Sequence, residues 1–255
     1  MTSSSVVRLV SIMVLTIAVS ACSSPGPGGD ISERDPFEST NRTFHDVNIF
    51  LDSNLIRPVA QGYDFVTPQT FQHLIGNAFD HIDTAGNFAN FVLQGDVDSA
   101  LVSFGRFLVN TVVGAAGLLD PATEFGLPKG DTDFGVTLGK YGVSEGAYLV
   151  LPLLGPSTTR DALGSVVDRT ALSPTFYVGL FVDGDIVDYA LPAATVLEVV
   201  DARARNADLV DDILYESADS YVSLRSIYLQ RRDALIRGQE ESDDLPDIFD
   251  EETSN

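Results

Sequence analysis

The sequence predicts a mostly α-helical protein with one folded body and no alternation of strands and helices. Three observations support this fold class. Apolar residues recur with helical spacing over long stretches, proline and capping residues mark helix starts, and a hydrophobic content of 44% suffices for a packed core. The glycine-rich stretch between Phe125 and Pro156 is the exception, and there we expect an ordered, hairpin-like loop.

The N-terminus predicts a secretory signal of the lipoprotein type over residues 1–21. An apolar run from Leu9 to Ala21 follows the positive residue Arg8 and ends in small residues before Cys22. The run is too short to span a hydrocarbon core of about 30 Å. Cys22 is the only cysteine, and its position after Ala21 is typical of a bacterial lipoprotein box. We therefore expect Cys22 to be fatty-acylated and to anchor the mature chain in a membrane.

Charge and composition divide the mature chain into three parts and exclude some functions. With 15 basic and 37 acidic residues, the formal net charge is −22, which argues against nucleic-acid binding and against electrostatic adhesion to anionic lipid. Residues 22–34 are rich in Gly, Pro and Ser and predict a flexible tether. Residues 239–255 are acidic without a basic residue and predict a disordered tail. The folded body is expected over residues 35–238.

Capping signals predict the first two helices. Asp35-Pro36-Phe37-Glu38 has the pattern of a capping box with Asp35 as the N-cap, and we expect Pro58 to interrupt the helix that follows. Thr67-Pro68 predicts a second start, and the apolar pattern after it continues to Gly95.

Asp96 is expected to cap a third helix that runs to Leu119, before Asp120-Pro121. From Phe104 to Leu119 this helix is apolar on nearly every side, and its length of about 24 Å falls short of a full span of about 30 Å. Two interpretations remain open. Such a helix is either buried inside the protein, or it lies in one membrane leaflet or along a lipid path.

The remaining elements are predicted from local composition and from the spacing of apolar residues. Within the glycine-rich stretch, Val136-Thr137-Leu138 and Tyr148–Leu151 are typical of short extended arms. Helical patterns return at Ser157 and again in two closing helices near residues 192–216 and 218–238.

Enzyme motifs are present only in part. Gly142-Val143-Ser144-Glu145-Gly146 matches the G-x-S-x-G turn of α/β-hydrolases, but that fold places its histidine after the serine, and His45, His73 and His81 all precede it. Asp133-Phe134-Gly135 matches a kinase tripeptide without the phosphate-binding loop. The sequence predicts no enzyme and no catalytic residue.

Metal and cofactor motifs are also incomplete. His73, Asp80, His81 and Asp83 do not form a paired set four residues apart on a helix, which makes them more typical of surface polar residues. The run Asp183-Gly184-Asp185 lacks the glycine and glutamate positions of a calcium loop. We therefore expect no metal and no cofactor.

Several motifs together resemble the MlaA/VacJ family of outer-membrane lipoproteins. The likeness covers roughly residues 35–238 in order, and the matched motifs fall near the start, in the middle and near the end of this range. They are Asp35-Pro36-Phe37-Glu38 with Asn41-Arg42-Thr43-Phe44, Arg57-Pro58-Val59-Ala60, Phe91 to Asp96, Arg106 to Thr111, Phe134 to Val143 with Leu151-Pro152 to Arg160-Asp161, and Tyr221, Arg225 and Tyr228 to Asp233. Ser144 and Ala147 depart from residues common in the family.

The resemblance implies a ring-like helical body in the periplasmic leaflet of the outer membrane, associated with trimeric porins. It implies removal of mislocalised phospholipids from the outer leaflet and their transfer to a soluble periplasmic carrier, which maintains lipid asymmetry. The alternative is a structural, porin-associated envelope lipoprotein without transport activity.

Two sets of residues are candidates for the lipid path. Polar residues in apolar surroundings are expected to line it: Arg106, Asn110, Thr111 and Lys140. The glycine-rich segment is expected either to gate the path or only to form fixed turns, and its candidate residues are Gly135, Gly139, Tyr141, Gly142 and Gly146.

Overall fold

Helices make up most of the described chain, which comprises residues 34–181 and 189–238 of a computed structural model. The prediction of a mostly helical protein is confirmed. The helices are α1 Glu38–Leu51, α2 Arg57–Val66, α3 Gln69–Gln94, α4 Val97–Val112, α5 Pro121–Glu124, α6 Phe134–Lys140, α7 Thr159–Val167, α8 Pro174–Phe181, α9 Leu191–Arg205, α10 Ala207–Asp211 and α11 Ser220–Arg237. Strands β1 Tyr148–Leu151 and β2 Gly155–Thr158 form an antiparallel hairpin. The predicted signal peptide, Cys22, the acidic tail and Asp183–Asp185 lie outside the described residues.

The first helix begins later than predicted, and Asp35 does not cap it. Helix α1 starts at Glu38 with Phe37 at the N-cap position and no side-chain cap. The carboxylate of Asp35 instead accepts hydrogen bonds from Asn41 Nδ2 at 2.8 Å, from the Tyr221 hydroxyl and from Arg225. The capping pattern failed because partners far along the chain use the same oxygens.

The interruption predicted at Pro58 takes the form of a π-helical turn. This turn, Asp52–Ile56, connects α1 to α2, so the chain stays helical through Pro58 in the first turn of α2. Proline has no N–H to donate to the preceding turn, and an inserted residue changes the bonding pattern at that point.

Helix α4 starts at the predicted cap but ends earlier than predicted, and α3 starts one residue later than predicted. Thr67 does not cap α3, which begins at Gln69 with Pro68 at the N-cap position and no side-chain cap. Gly95 closes α3 at φ 72°, and the Asp96 carboxylate accepts a bond from Ser99 N at 3.1 Å as the N-cap of α4. The helix stops at Val112 rather than Leu119, because Ala115 and Ala116 take the left-handed conformation at φ 53° and 58°.

The glycine-rich stretch contains a helix where extended chain was predicted. Val136, Thr137 and Leu138 lie in α6, and Asp133 caps this helix by accepting a bond from Val136 N at 2.8 Å. The second arm is extended as expected, because Tyr148–Leu151 is β1. The hairpin therefore lies at residues 148–158, after most of the glycines.

The elements close into a ring through their packing. Helix α2 packs on α9, α9 on α3, α3 on α6, and α6 on α11. Helix α11 then contacts β2 of the hairpin, whose other strand, β1, packs on α1. Helix α4 lies along α3, and α7 packs on α6. The first and last described helices, α1 and α11, are joined in this way through the hairpin.

Most of the buried residues are polar or charged, and many large apolar residues are exposed. Among the described residues, ten hydrophobic and twenty-two polar or charged residues are buried, so apolar packing is confined to a small cluster around Tyr148, Val150, Tyr221 and Leu229. Large apolar side chains instead face outward, and Phe65 is 90% exposed. An exposed apolar surface of this kind marks contact with a membrane or a partner protein.

Buried ion pairs replace the missing apolar core. Asp35 pairs with Arg225 at 2.6 Å, Asp52 with Arg203 at 2.9 Å, and Asp161 with Arg232 at 2.9 Å. Arg34, which was predicted to end the flexible tether, is 2% exposed and pairs with Glu145 and Asp233, so the body begins at or before this residue.

We predict that Gly164→Ala destabilises the protein because α6 and α7 touch there. A Cβ on Gly164 would lie 2.5 Å from the backbone nitrogen of Gly135, which cannot move without shifting α6. Overpacking of this kind costs about 1–3 kcal/mol of unfolding free energy. Gly62→Ala is the matched control, since Gly62 also lies inside a helix but has open space around it. The control should be neutral or stabilising by up to about 1 kcal/mol. Thermal unfolding in detergent, followed by circular dichroism, measures both, and equal melting temperatures would contradict the tight contact.

Candidate functional site

A cavity of about 440 Å³ lies between α3, α4, the segment 120–133 and residues 168–174. Most of its lining side chains are polar. They include Asn77, Asp80, His81, Asp83, Asn87 and Asn90 from α3, Ser103, Arg106 and Asn110 from α4, Asp120, Lys129, Asp131 and Asp133 from the segment between α4 and α6, and Asp168 and Arg169 from the π-helical turn after α7. Such a cavity suits a charged or hydrogen-bonding group.

Helix α4 turns its few polar residues inward. Its buried residues are Ala100, Ser103, Arg106 and Asn110, three or four positions apart and thus on one face. Most of its exposed residues are large and apolar, including Leu101, Phe104, Leu108 and Val112, and the polar exceptions are Asp98 and Thr111. The structure therefore excludes the interpretation that this apolar helix is buried on all sides.

Arg106 and Asn110 hold one wall of the cavity through Asp120. The Arg106 guanidinium donates to both Asp120 oxygens at 2.9 Å, and Asn110 Nδ2 donates to one of them at 2.9 Å. Burial alone would raise the pKa of Asp120, but hydrogen bonds from Thr123, Asn110 and Arg106 lower it to about 2. The Ala122 N–H donates to Asn110 Oδ1 at 3.0 Å and so fixes α5 as well.

Helix α3 contributes a polar stripe that the sequence analysis missed. Asn77, Asp80, Asp83, Asn87 and Asn90 recur three or four residues apart, so that they share a face. Across the cavity, the Lys129 amine forms an ion pair with the Asp80 carboxylate at 2.6 Å. The helical spacing of these polar residues is the signal for the stripe. A polar helix face normally points to solvent, however, so the sequence pattern favours a surface position for them.

Asp83 is the least compensated charge of the cavity. It has no hydrogen-bond or ion-pair partner among residues 34–181 and 189–238. Burial, followed by repulsion from Glu198, Asp80 and Asp131, raises the pKa of Asp83 to about 6. The side chain is nevertheless exposed, as expected for a group that protein surrounds but that faces the open cavity.

The other two predicted path residues lie beside the cavity rather than on its wall. The Thr111 hydroxyl contacts Nε2 of the lining residue His81 at 3.1 Å, and the His81 ring stacks on Phe107. Lys140 is absent from the lining, and its amine donates to Gln94 Oε1 at 2.8 Å. The structure therefore brings Arg106 and Asn110 together, places Thr111 next to them, and separates Lys140.

The gating candidates divide into two groups. Gly135 and Gly139 lie in α6, where an added Cβ would come within 2.5 Å of Asp161 and 2.7 Å of Ile236. Gly142 and Gly146 have φ of 81° and 71° and form turns after α6. Tyr141 is exposed, and its hydroxyl donates to the Leu93 carbonyl at 2.6 Å. Close packing thus fixes Gly135 and Gly139, and an added Cβ on Gly146 would also come within 2.7 Å of Thr159, so that Gly142 alone of these four glycines has open space around it.

The motif that resembles a hydrolase serine has a different structure here. A helix rather than a strand precedes Ser144, and the nearest polar contact of its hydroxyl is Gly146 N at 3.5 Å. The neighbouring Glu145 is buried and forms an ion pair with Arg34.

The described ranges contain neither a metal-binding cluster nor a membrane-spanning helix. Within them, no group of three or more histidine, cysteine, aspartate or glutamate residues is arranged to hold a metal ion. No helix within residues 34–181 or 189–238 combines the length and hydrophobicity needed to cross a bilayer.

These features define a class: a helical ring with an apolar exterior, a polar interior and a cavity with polar walls. Comparison with known proteins identifies the family within this class. The family model described as MlaA lipoprotein matches residues 33–235. The chain belongs to this family, and the resemblance in the sequence is confirmed.

Relatives and a solved structure agree. The chain is 30% identical to the intermembrane phospholipid transport system lipoprotein MlaA of Haemophilus influenzae, over 94% of this chain and 95% of that protein. It is 32% identical to the protein of the same name from Escherichia coli, over 91% and 90%. A solved structure described as the structural basis for maintenance of bacterial outer membrane lipid asymmetry superposes with a TM-score of 0.68 at 32% identity, covering 79% of this chain and 98% of that one.

We predict that Arg106→Met strongly destabilises the cavity wall. The substitution leaves the carboxylate of Asp120 partly buried without its cation, and breaking a buried pair in this way costs about 3–5 kcal/mol. Arg231→Met is the control, because Arg231 pairs with Asp131 at the surface with both side chains about 60% exposed. The control should change the unfolding free energy by less than about 1 kcal/mol. Denaturant titration in detergent measures both, and equal effects would show that the Arg106 pair is not structural.

Proposed function

We propose that this protein is an outer-membrane lipoprotein that removes mislocalised phospholipids from the outer leaflet and passes them to a periplasmic carrier. It acts as a transport component and not as an enzyme. The observation that carries the proposal is the polar cavity enclosed by a body with an apolar exterior. The names of the two curated relatives and the description of the solved structure support the same role.

The arrangement suits the physical problem of moving a phospholipid. Apolar side chains at the surface, including Phe65, Val66 and Val112, favour a position of the body within the periplasmic leaflet. A headgroup carries charge and is costly to move through hydrocarbon. A path with polar walls lowers that cost, while the acyl chains remain in contact with apolar surroundings.

The lipid anchor fits the same placement. Cys22 lies outside the described residues, 12 positions before Arg34, where ion pairs hold the chain in the body. A segment of this length spans at most about 40 Å. The acylated Cys22 therefore keeps the body close to the periplasmic face of the outer membrane.

The partners are a trimeric porin and a soluble periplasmic lipid carrier. The resemblance to the family and the apolar exterior support the porin contact. Gly142 is the hinge of the segment that gates the path, since an added Cβ there would meet no atom within 4 Å, whereas Gly135, Gly139 and Gly146 are packed closely. A structural lipoprotein that only organises the envelope is the competing function, and it requires no open cavity.

We predict that Thr84→Trp abolishes lipid clearance by filling the cavity. Thr84 lines the cavity, and its hydroxyl bonds only to the Asp80 carbonyl of its own helix, so the substitution removes no contact between elements. Thr43→Trp is the matched control, because Thr43 makes the same bond to Ser39 and is exposed on α1. Outer-leaflet phospholipid and detergent resistance are measured in cells that carry each variant as the only copy. The structural alternative predicts equal behaviour of the two variants at equal protein level.

We predict that the mature N-terminus is Cys22 with acyl groups attached. Mass spectrometry of protein purified from membranes measures the modification. Cys22→Ala should abolish acylation and release the protein from the outer membrane. An unmodified N-terminus at another residue would contradict the anchor while leaving the role of the cavity open.

A further inference from the structure

The charges of the cavity do not balance, and the excess is negative. Six aspartates line it, and four have a basic partner: Asp80 pairs with Lys129, Asp120 with Arg106, Asp131 with Arg231 and Asp133 with Arg232. Asp168 accepts bonds from Asn90 Nδ2 at 2.9 Å and from Phe134 N at 3.0 Å. Asp83 alone among the six has no partner in the described parts of the chain. Its carboxylate is available for a cationic group that enters the cavity.

A hydrogen-bond donor without a partner lies in the same cavity. Ser103 is 2% exposed and lines the wall, and its hydroxyl forms no hydrogen bond within residues 34–181 and 189–238. The hydroxyl oxygen is not one of the fully buried polar atoms that lack a partner, so it retains contact with the open cavity. A donor in this position can bond to a group that enters the cavity. The guanidinium of Arg169, also in the lining, forms no ion pair in the same residues. Both groups are donors of the type that a phosphate oxygen accepts.

We propose that the cavity prefers phospholipids whose headgroup carries an ammonium group over those with an uncharged alcohol headgroup. Asp83 faces the ammonium, while Ser103 and Arg169 donate to the phosphate. This inference rests on the proposed function and names its substrate class. An ammonium headgroup supplies the positive charge that the cavity lacks. A phosphatidylglycerol headgroup brings the same phosphate with no cation, so it leaves Asp83 uncompensated.

The test uses the full-length, acylated protein in neutral detergent. It is incubated in mixed micelles with equimolar phosphatidylethanolamine and phosphatidylglycerol of identical acyl chains, and retained lipid is quantified by mass spectrometry after gel filtration. We expect the wild-type protein to enrich the ethanolamine lipid by about two- to five-fold. This is the change in affinity that one solvent-accessible ion pair produces. Asp83→Asn should bring the ratio close to one, because it removes both the contact with the ammonium and the uncompensated charge that disfavours phosphatidylglycerol. The enrichment should also fall as salt is raised, since salt screens accessible charges.

Asp46→Asn is the matched control, because Asp46 is exposed on α1, does not line the cavity and has no partner among the described residues. It should keep the wild-type ratio. A wild-type ratio of one or below, or an equal ratio in wild type and Asp83→Asn, would overturn the headgroup preference while the proposed transport function stands. Failure of the wild-type protein to retain either lipid, with Thr84→Trp indistinguishable from it, would overturn the proposed function and the preference together.

Discussion

Buried arginine–carboxylate pairs are the interactions on which the rest of this structure depends. They join the first described residues to later parts of the chain: Arg225 pairs with Asp35, Arg203 with Asp52, and Arg34 with Glu145 and Asp233. The apolar cluster beside them is small. A pair of this kind adds little net stability compared with apolar packing, but losing one partner is costly, because the other charge stays buried. The pairs therefore fix which helices meet, and the ring closes in one arrangement.

The same constraint explains the distribution of apolar residues. Several helices, α4 among them, have one polar and one apolar face, and a buried polar group must find a partner. In α4 the polar face holds Ser103, Arg106 and Asn110, so it turns inward and sends Phe104 and Leu108 outward. A polar interior that does not close completely leaves a polar cavity. The apolar exterior and the polar cavity thus have the same origin. The apolar core of a typical water-soluble protein would produce neither of them.

Local signals predicted a helix start or end correctly where the signal acts within one turn and its side chain has no distant partner. Asp96 and Gly95 act over one turn, and both have the predicted role. Asp35 did not cap α1, since residues almost two hundred positions away use its oxygens. The predicted end of α4 was wrong because Ala115 and Ala116 take the left-handed conformation. That conformation follows from how the turn packs, and alanine carries no sequence signal for it. Of the cavity, Arg106 and Asn110 were predicted as polar exceptions in an apolar helix, whereas the aspartates on α3 looked like ordinary surface residues.

Two carboxylates of the cavity have opposite effects on stability. The pKa of Asp120 is lowered to about 2, so its partners stabilise the folded protein above the usual aspartate pKa near 4, and that contribution is lost as the pH falls towards 2. The pKa of Asp83 is raised to about 6, so its ionised form opposes folding above pH 6, and the opposition disappears as the pH falls towards 4. Asp120 has a structural reason to be charged. Asp83 has none, since asparagine would fill the same space without the repulsion. A charge that lowers stability and faces an open cavity is most simply explained by a ligand that uses it.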